Sequence, residues 1–247
     1  MISQLKRILT KIYIKLKERT YNGRLKYLFL NNHSNVLIIS FSGFSDKPMY
    51  NYIRTLRTIK ADKLFILDDF GCKGSYYWFE NGNDKPLMLV NSLLQTLLSR
   101  GGYKRIITIG ISKGGTCAIY YGLAFGASDI FAGACQYRIG TYLNTFNHMP
   151  IFKAMMGVNA GEKEQSYLDT MMPKCINENK NSNTIIHLLY SKEEHTFQDD
   201  IQYLISDLEA NNIKHIDTIK NFYDHGEIGG YFSPWIKEEL SIIISNG

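Results

Sequence analysis

From residue 35 onward the chain alternates short apolar runs with stretches of helical period, and this alternation constrains its fold more than any other feature. The runs Asn35 to Phe41, Lys63 to Asp68, Lys104 to Gly110, Ile130 to Cys135, Thr184 to Tyr190 and His215 to Ile219 have the length and β-branched content of strands. Helical spacing fills Met49 to Ile59, Leu87 to Ser99, Lys113 to Phe125, the interval between the last two runs, and Tyr231 to Ile244. Strand, helix, strand in repetition requires crossover connections, hence a mostly parallel central sheet flanked by helices. Residues 137–183 break the rhythm with a long, Met- and Asn-rich, helical pattern, which reads as a cap-like insertion over the C-terminal edge of the sheet. At 247 residues and 45% hydrophobic content the chain can bury one sizeable core. The expectation is one α/β domain over 27–247 carrying that insertion.

Residues 1–26 are different. They hold eight Lys or Arg against one acid, whereas the rest of the chain is slightly acidic. The body is therefore not a basic nucleic-acid surface. Ile2, Leu5, Ile8, Leu9, Ile12 and Leu16 recur at helical spacing among the lysines, which predicts a basic amphipathic N-terminal helix. Such a helix either docks on an anionic membrane or a partner complex, or packs its apolar stripe on its own domain or on a second copy in a homo-oligomer. No secretory signal and no run long enough to span a bilayer is visible. Cys72, Cys117, Cys135 and Cys175 form neither a disulfide framework nor a metal-binding spacing. A cytoplasmic protein without a metal is expected, with attachment at the inner face of the membrane as its variant.

The chemistry concentrates in Gly110-Ile-Ser-Lys-Gly114, a G-x-S-x-G between a strand and a helix. A serine hydroxyl is a poor nucleophile and must be presented on a tight turn where a base can reach it, and small residues two positions either side let strand and helix approach there. The arrangement predicts the α/β-hydrolase fold with Ser112 as nucleophile. The Lys113 N–H, at a helix N-terminus, would form half of an oxyanion hole. Its other half is expected after the first strand, in Ser40-Phe-Ser-Gly-Phe44, from the N–H of Phe44 or of Gly43.

On this fold the acid and then the histidine follow the serine, each beyond a strand's C-terminal end. His225 lies just after the strand at 215–219 and before the last helix, which makes it the general base; His195 is its positional rival. In Ser191-Lys-Glu-Glu-His195 the acid is Glu194 or its neighbour Glu193. Gln136 and Arg138 follow the strand ending at Cys135 and should face the same edge as substrate-binding groups, the guanidinium suited to a phosphate or carboxylate. Tyr76, Tyr77 and Trp78 offer either a stacking platform for a sugar ring or core packing.

Phe41-Ser-Gly-Phe-Ser-Asp46, Gly110-Ile-Ser-Lys-Gly-Gly115, Tyr120-Tyr-Gly-Leu123, Glu194-His-Thr196 and Asp224-His-Gly226 together resemble the bacterial capsular polysaccharide biosynthesis proteins of the XcbB/CpsF type. They are also similar to capsule O-acetyltransferases of the meningococcal serogroup A type. The resemblance spans roughly residues 36–245 and leaves the N-terminal arm outside. It implies acetyl transfer from acetyl-CoA to a hydroxyl of a capsular or other surface glycan, with Ser112 carrying the acetyl group and His225 as base. In that type the acid is an aspartate with a glutamine behind it; here the matching turn offers only Glu193 and Glu194, with Gln136 as the extra amide. A carboxylesterase or deacetylase, or a non-catalytic capsule-assembly component held by the N-terminal helix, would share much of this pattern.

Overall fold

A computed structural model describes residues 10 and 12–245. Eight strands form one sheet in the order β1-β2-β4-β3-β5-β6-β7-β8. They are β1 (Arg19–Tyr21), β2 (Leu25–Leu30), β3 (Val36–Ser40), β4 (Asp62–Ile66), β5 (Arg105–Ile111), β6 (Asp129–Gly133), β7 (Ile185–Tyr190) and β8 (His215–Ile219). From β4 to β8 every neighbouring pair is parallel. The hairpin β1–β2 is antiparallel and adds to β4 antiparallel, with Leu30 beside Lys63. All six expected strands are present within two residues of their expected ends. The Asn22-Gly23 turn of the hairpin has both residues at positive φ, 46° and 70°, as a tight two-residue hairpin turn requires. β1 and the first residues of β2 thus occupy residues 19–26, where the sequence pattern suggested only a basic arm.

Helices cover both faces. A short helix at residues 12–17 (α1) precedes the hairpin. On one face pack α2 (Lys85–Gly101), α3 (Lys113–Ala124), α6 (Glu162–Glu178) and α7 (Gln202–Ala210), whose apolar residues join Leu37, Ile39 and Leu64 in one core. On the other, α8 (Ile228–Ser245) sets Phe232, Trp235, Ile236 and Leu240 against Ile38, Phe65, Ile107 and Phe131. The sheet is apolar on both faces, which is why its central strands are continuous rather than alternating runs.

One expected element is corrected. Met49 to Ile59 is not a helix; only a single 3-10 turn, Thr55–Thr58, forms there. Pro48 precedes the segment and Tyr52 sits at φ 64°, a left-handed conformation that no helix propagates through. Tyr52, Ile53 and Leu56 nevertheless bury apolar surface in the α8-side core, so the apolar spacing reflects packing without helical hydrogen bonds. The insertion is helical as expected: α4 (Ile139–Leu143), α5 (Met149–Met156) and α6 lie between β6 and β7. α5 reaches the C-terminal end of the sheet, where His148 at its start stacks over Phe44.

Candidate active site

Gly110 and Gly114 are where they are because no larger residue fits. A Cβ on Gly110 would lie 2.1 Å from the Gly114 carbonyl oxygen, and one on Gly114 would lie 2.8 Å from that of Phe41. The strand can therefore reverse into α3 within one residue, Ser112, at φ 51° and ψ −130°. For a non-glycine residue that conformation costs about 1–3 kcal/mol and persists only when the surroundings enforce it. Here the Ser112 N–H donates to Gly133 O on β6 and its carbonyl accepts from Gly115 and Thr116 at the start of α3. The Lys113 N–H, in the first turn of α3, is among the donors that no carbonyl of the helix itself can meet.

Lys113 has a second environment. Its side chain is fully buried, and Nζ lies 2.6 Å from Asp68 Oδ2 in an ion pair with no solvent access on either side. The ammonium also sits 4.5 Å from the centre of the Tyr77 ring. Asp68 Oδ2 accepts the N–H groups of Ser75 and Tyr77 as well. The Tyr77 hydroxyl donates to Ile66 O and accepts from the Ser42 N–H at 3.0 Å. The serine turn, the 68–77 loop and the 41–45 loop carrying Gly43 and Phe44 are thus tied through one buried polar network. Nothing in the sequence pattern singled out Asp68. Tyr76, Tyr77 and Trp78 are fully buried, so of the two readings of that cluster the core one holds. Cys72, at the crest of the same loop, is exposed, while the other three cysteines are buried and unpaired.

Across the rim, the loops after β7 and β8 are joined by Ser191, whose hydroxyl oxygen accepts the N–H of Glu193 and of Phe222. His225 Nδ1 lies 3.1 Å from Glu194 Oε1. With a carboxylate as acceptor, Nδ1 carries the proton and Nε2 keeps its lone pair. Nε2 is buried and has no hydrogen-bond partner among the described residues. Glu194 is 1% exposed whereas Glu193 is exposed. Burial alone would raise the Glu194 carboxyl; the hydrogen bonds from His225 and Thr196 and the charges of His225 and His195 outweigh it and hold the group below the ordinary carboxylate range. The exposed His195 brings Nε2 to within 3.1 Å of the same Oε1, so two imidazoles share one carboxylate oxygen. Glu194, His195 and His225 each place a ligand atom within 4.8 Å of the others, an arrangement able to hold a cation.

Gln136 and Arg138 both reach this rim. Gln136 is fully buried and its Nε2 donates to Ser112 Oγ at 3.1 Å, while its Oε1 accepts from the Tyr76 hydroxyl at 3.4 Å. Ser112 Oγ takes this amide as its partner; no hydrogen bond joins it to His225 Nε2. Arg138 donates twice to Asp199 O and stacks over Tyr203 at 4.3 Å. Its neighbours Thr141, Tyr142, His148 and His195 line a groove of about 390 Å³ between the insertion and the β7–α7 loop. Beneath that groove the buried Asp200 accepts the N–H groups of Tyr137 and Arg138. Burial pushes its carboxyl up to about 6.

Eight mostly parallel strands in this order, a serine on a strained turn after β5 and a carboxylate-bound imidazole after β8 define the α/β-hydrolase fold. No family model and no curated protein matches the chain. Among solved structures it is similar to the capsule O-acetyltransferase of Neisseria meningitidis serogroup A, with a TM-score of 0.76 and 21% identity over 91% of this chain and 93% of that one. A mutant of that enzyme in complex with CoA gives 0.74 and 20% over 90% and 94%. A glycosylation-associated protein complex of Streptococcus agalactiae gives 0.72 and 19%, over 91% of this chain and 46% of that one. A fluorophosphonate-binding serine hydrolase of Staphylococcus aureus gives 0.61 and 15% over 89% and 91%.

Proposed function

We propose that this chain is a serine acyltransferase that moves an acetyl group from acetyl-CoA to a hydroxyl of a capsular or other surface glycan. The observation that carries the reading is His225, held by a buried carboxylate on Nδ1 and left with a free, buried Nε2, on the same rim as the strained Ser112. His225 Nε2 takes the Ser112 proton as Oγ attacks the thioester carbonyl, a contact that closes when the acyl donor binds. The oxyanion is met by the N–H groups of Lys113 and Phe44. The carbon–sulfur bond breaks, the proton on Nε2 goes to the thiolate, and CoA leaves acetyl-Ser112 behind. A glycan hydroxyl then gives its proton to Nε2 and attacks the acetyl carbon, and Ser112 Oγ leaves with that proton. Glu194 orients the imidazole and stabilises its protonated form. Gln136 holds Oγ in place between turnovers, and Arg138, beside the groove, binds the anionic parts of donor or acceptor. The reading is supported by the likeness to an acetyltransferase whose structure contains CoA, and by a second likeness to a glycosylation complex. It places the enzyme in the cytoplasm beside a capsule-assembly machinery.

The test is intact-protein mass spectrometry after incubation with acetyl-CoA. Wild type should take up one acetyl group and pass it on when capsular oligosaccharide is added, whereas Ser112→Ala should take up none and His225→Ala, lacking the base, should take it up far more slowly. Absence of any adduct in all three sinks the proposal. The likeness to a serine hydrolase supports a second reading, in which water is the acceptor. Turnover of an aryl acetate at equal rates with and without oligosaccharide would favour it. Ser112→Ala with wild-type capsule modification would leave only a non-catalytic assembly role.

A further inference from the structure

A wide groove lies away from the serine. A depression of about 1180 Å³ is lined by Lys17, Arg19, Ile53, Arg54 and Arg57 beside the end of β2. It lies by Leu30 and Lys63, where β4 begins, so it faces away from the serine turn by about one strand length, roughly 17 Å. Among the described residues lining it there is no carboxylate. The acids nearest in sequence are occupied: Glu18 accepts from the Tyr50 hydroxyl, and Asp62 is buried and takes the N–H groups of Asn32 and Ser34 and the hydroxyl of Tyr103. Of the lining cations only Lys63 is satisfied, by two carbonyls. Lys17, Arg19, Arg54 and Arg57 are solvent-exposed, and none forms an ion pair among the described residues. Four unneutralised cations converging on one depression repel one another, and an anionic surface is what relieves them.

Beside them, α1 leaves apolar side chains in water. Leu16 is 76% exposed and Ile12 51%, with Tyr13 alongside; of the described helix only Ile14 packs against the core. The described end of the apolar stripe is therefore not spent on covering its own domain. A second copy covering it through the same face would bring the two sets of cations together. A soluble polyanion would meet the cations but gain nothing from Leu16 and Ile12. Apolar groups flanked by lysine and arginine match the boundary between lipid headgroups and acyl chains.

We propose that this face, α1 together with the Arg54–Arg57 turn, docks the protein on an anionic lipid bilayer, with the serine rim directed away from the lipid. The inference is independent of the acyl-transfer reading. The test is co-sedimentation of the full chain with phosphatidylcholine vesicles, with and without about one third phosphatidylglycerol. Binding should require the anionic lipid and weaken at high salt. Arg54→Ser/Arg57→Ser should weaken it about 25-fold, near fivefold per cation removed, and Leu16→Ser should weaken it several-fold. Both variants change exposed side chains and should keep the wild-type melting temperature. Equal binding to both vesicle types overturns the proposal, as does undiminished binding by Arg54→Ser/Arg57→Ser. Heparin binding that ignores Leu16→Ser, without vesicle binding, would assign the groove to a soluble polyanion. A dimer lost in Leu16→Ser, again without vesicle binding, would assign the face to a second copy.

Discussion

At the scale of single residues, the buried Lys113–Asp68 pair is the feature whose loss is most costly. Asp68→Ala would leave an ammonium at zero exposure facing only the rings of Tyr77 and Phe44, at a cost of about 3–5 kcal/mol. Urea denaturation of Asp68→Ala against Asp68→Asn measures it, the asparagine variant losing less because its amide oxygen still accepts from Ser75 and Tyr77. Two carboxyls give opposing pH dependences. Glu194, held low in the folded state, contributes stability present above the ordinary carboxyl range and lost as pH falls through its depressed value. Asp200, raised to about 6, does the reverse: the folded state holds its proton longer than the unfolded chain, so stability falls as pH rises from about 4 to 6. Asp200→Asn should abolish that fall, a gain of roughly 3 kcal/mol at neutral pH relative to wild type, seen by comparing denaturation at both ends of the window. The positions of Ser112 on the turn after β5 and of His225 after β8 were legible in sequence because turn spacing and chain order specify them, whereas the sequence left Glu193 and Glu194 open and only burial separates them. Asp68 was not legible, since a carboxylate ending a strand looks the same whether it meets water or a buried lysine 45 residues on.

At the scale of elements, the serine turn depends on contacts too close for side chains. Gly114→Ala places a methyl group 2.8 Å from Phe41 O and should destabilise by more than about 2 kcal/mol while abolishing activity. Gly230→Ala, in α8 with open space around it, should be neutral or gain up to about 1 kcal/mol. Thermal melts of the two variants separate close approach from backbone freedom. The parallel strands were readable from sequence because burial on both faces makes them continuous apolar runs. The β1–β2 hairpin was missed although Asn22-Gly23 is a strong hairpin signal; the surrounding lysines and arginines drew the segment into the basic arm. The absent helix at 49–59 has the opposite cause, apolar residues spaced helically but buried by an irregular segment with a single 3-10 turn.

At the scale of the whole molecule, the sheet separates two surfaces. Its C-terminal end gathers Ser112, Gln136, Glu194 and His225, while the unpaired cations of Lys17, Arg19, Arg54 and Arg57 collect by the start of β4. A protein adsorbed through the second surface therefore keeps the first open, and vesicle-bound enzyme should turn over a soluble aryl ester at the rate of free enzyme. The charge asymmetry behind this was visible in composition, but the contribution of Arg54 and Arg57 was not, because only folding brings that turn beside α1. The exposed Cys72 lies in the loop anchored by Asp68, next to Gly71, where an added Cβ would meet Ala154 Cβ on α5 at 3.4 Å. With the other three thiols buried, a maleimide dye can be attached there alone in the native protein, turning the seam between loop and insertion into an optical reporter of substrate entry.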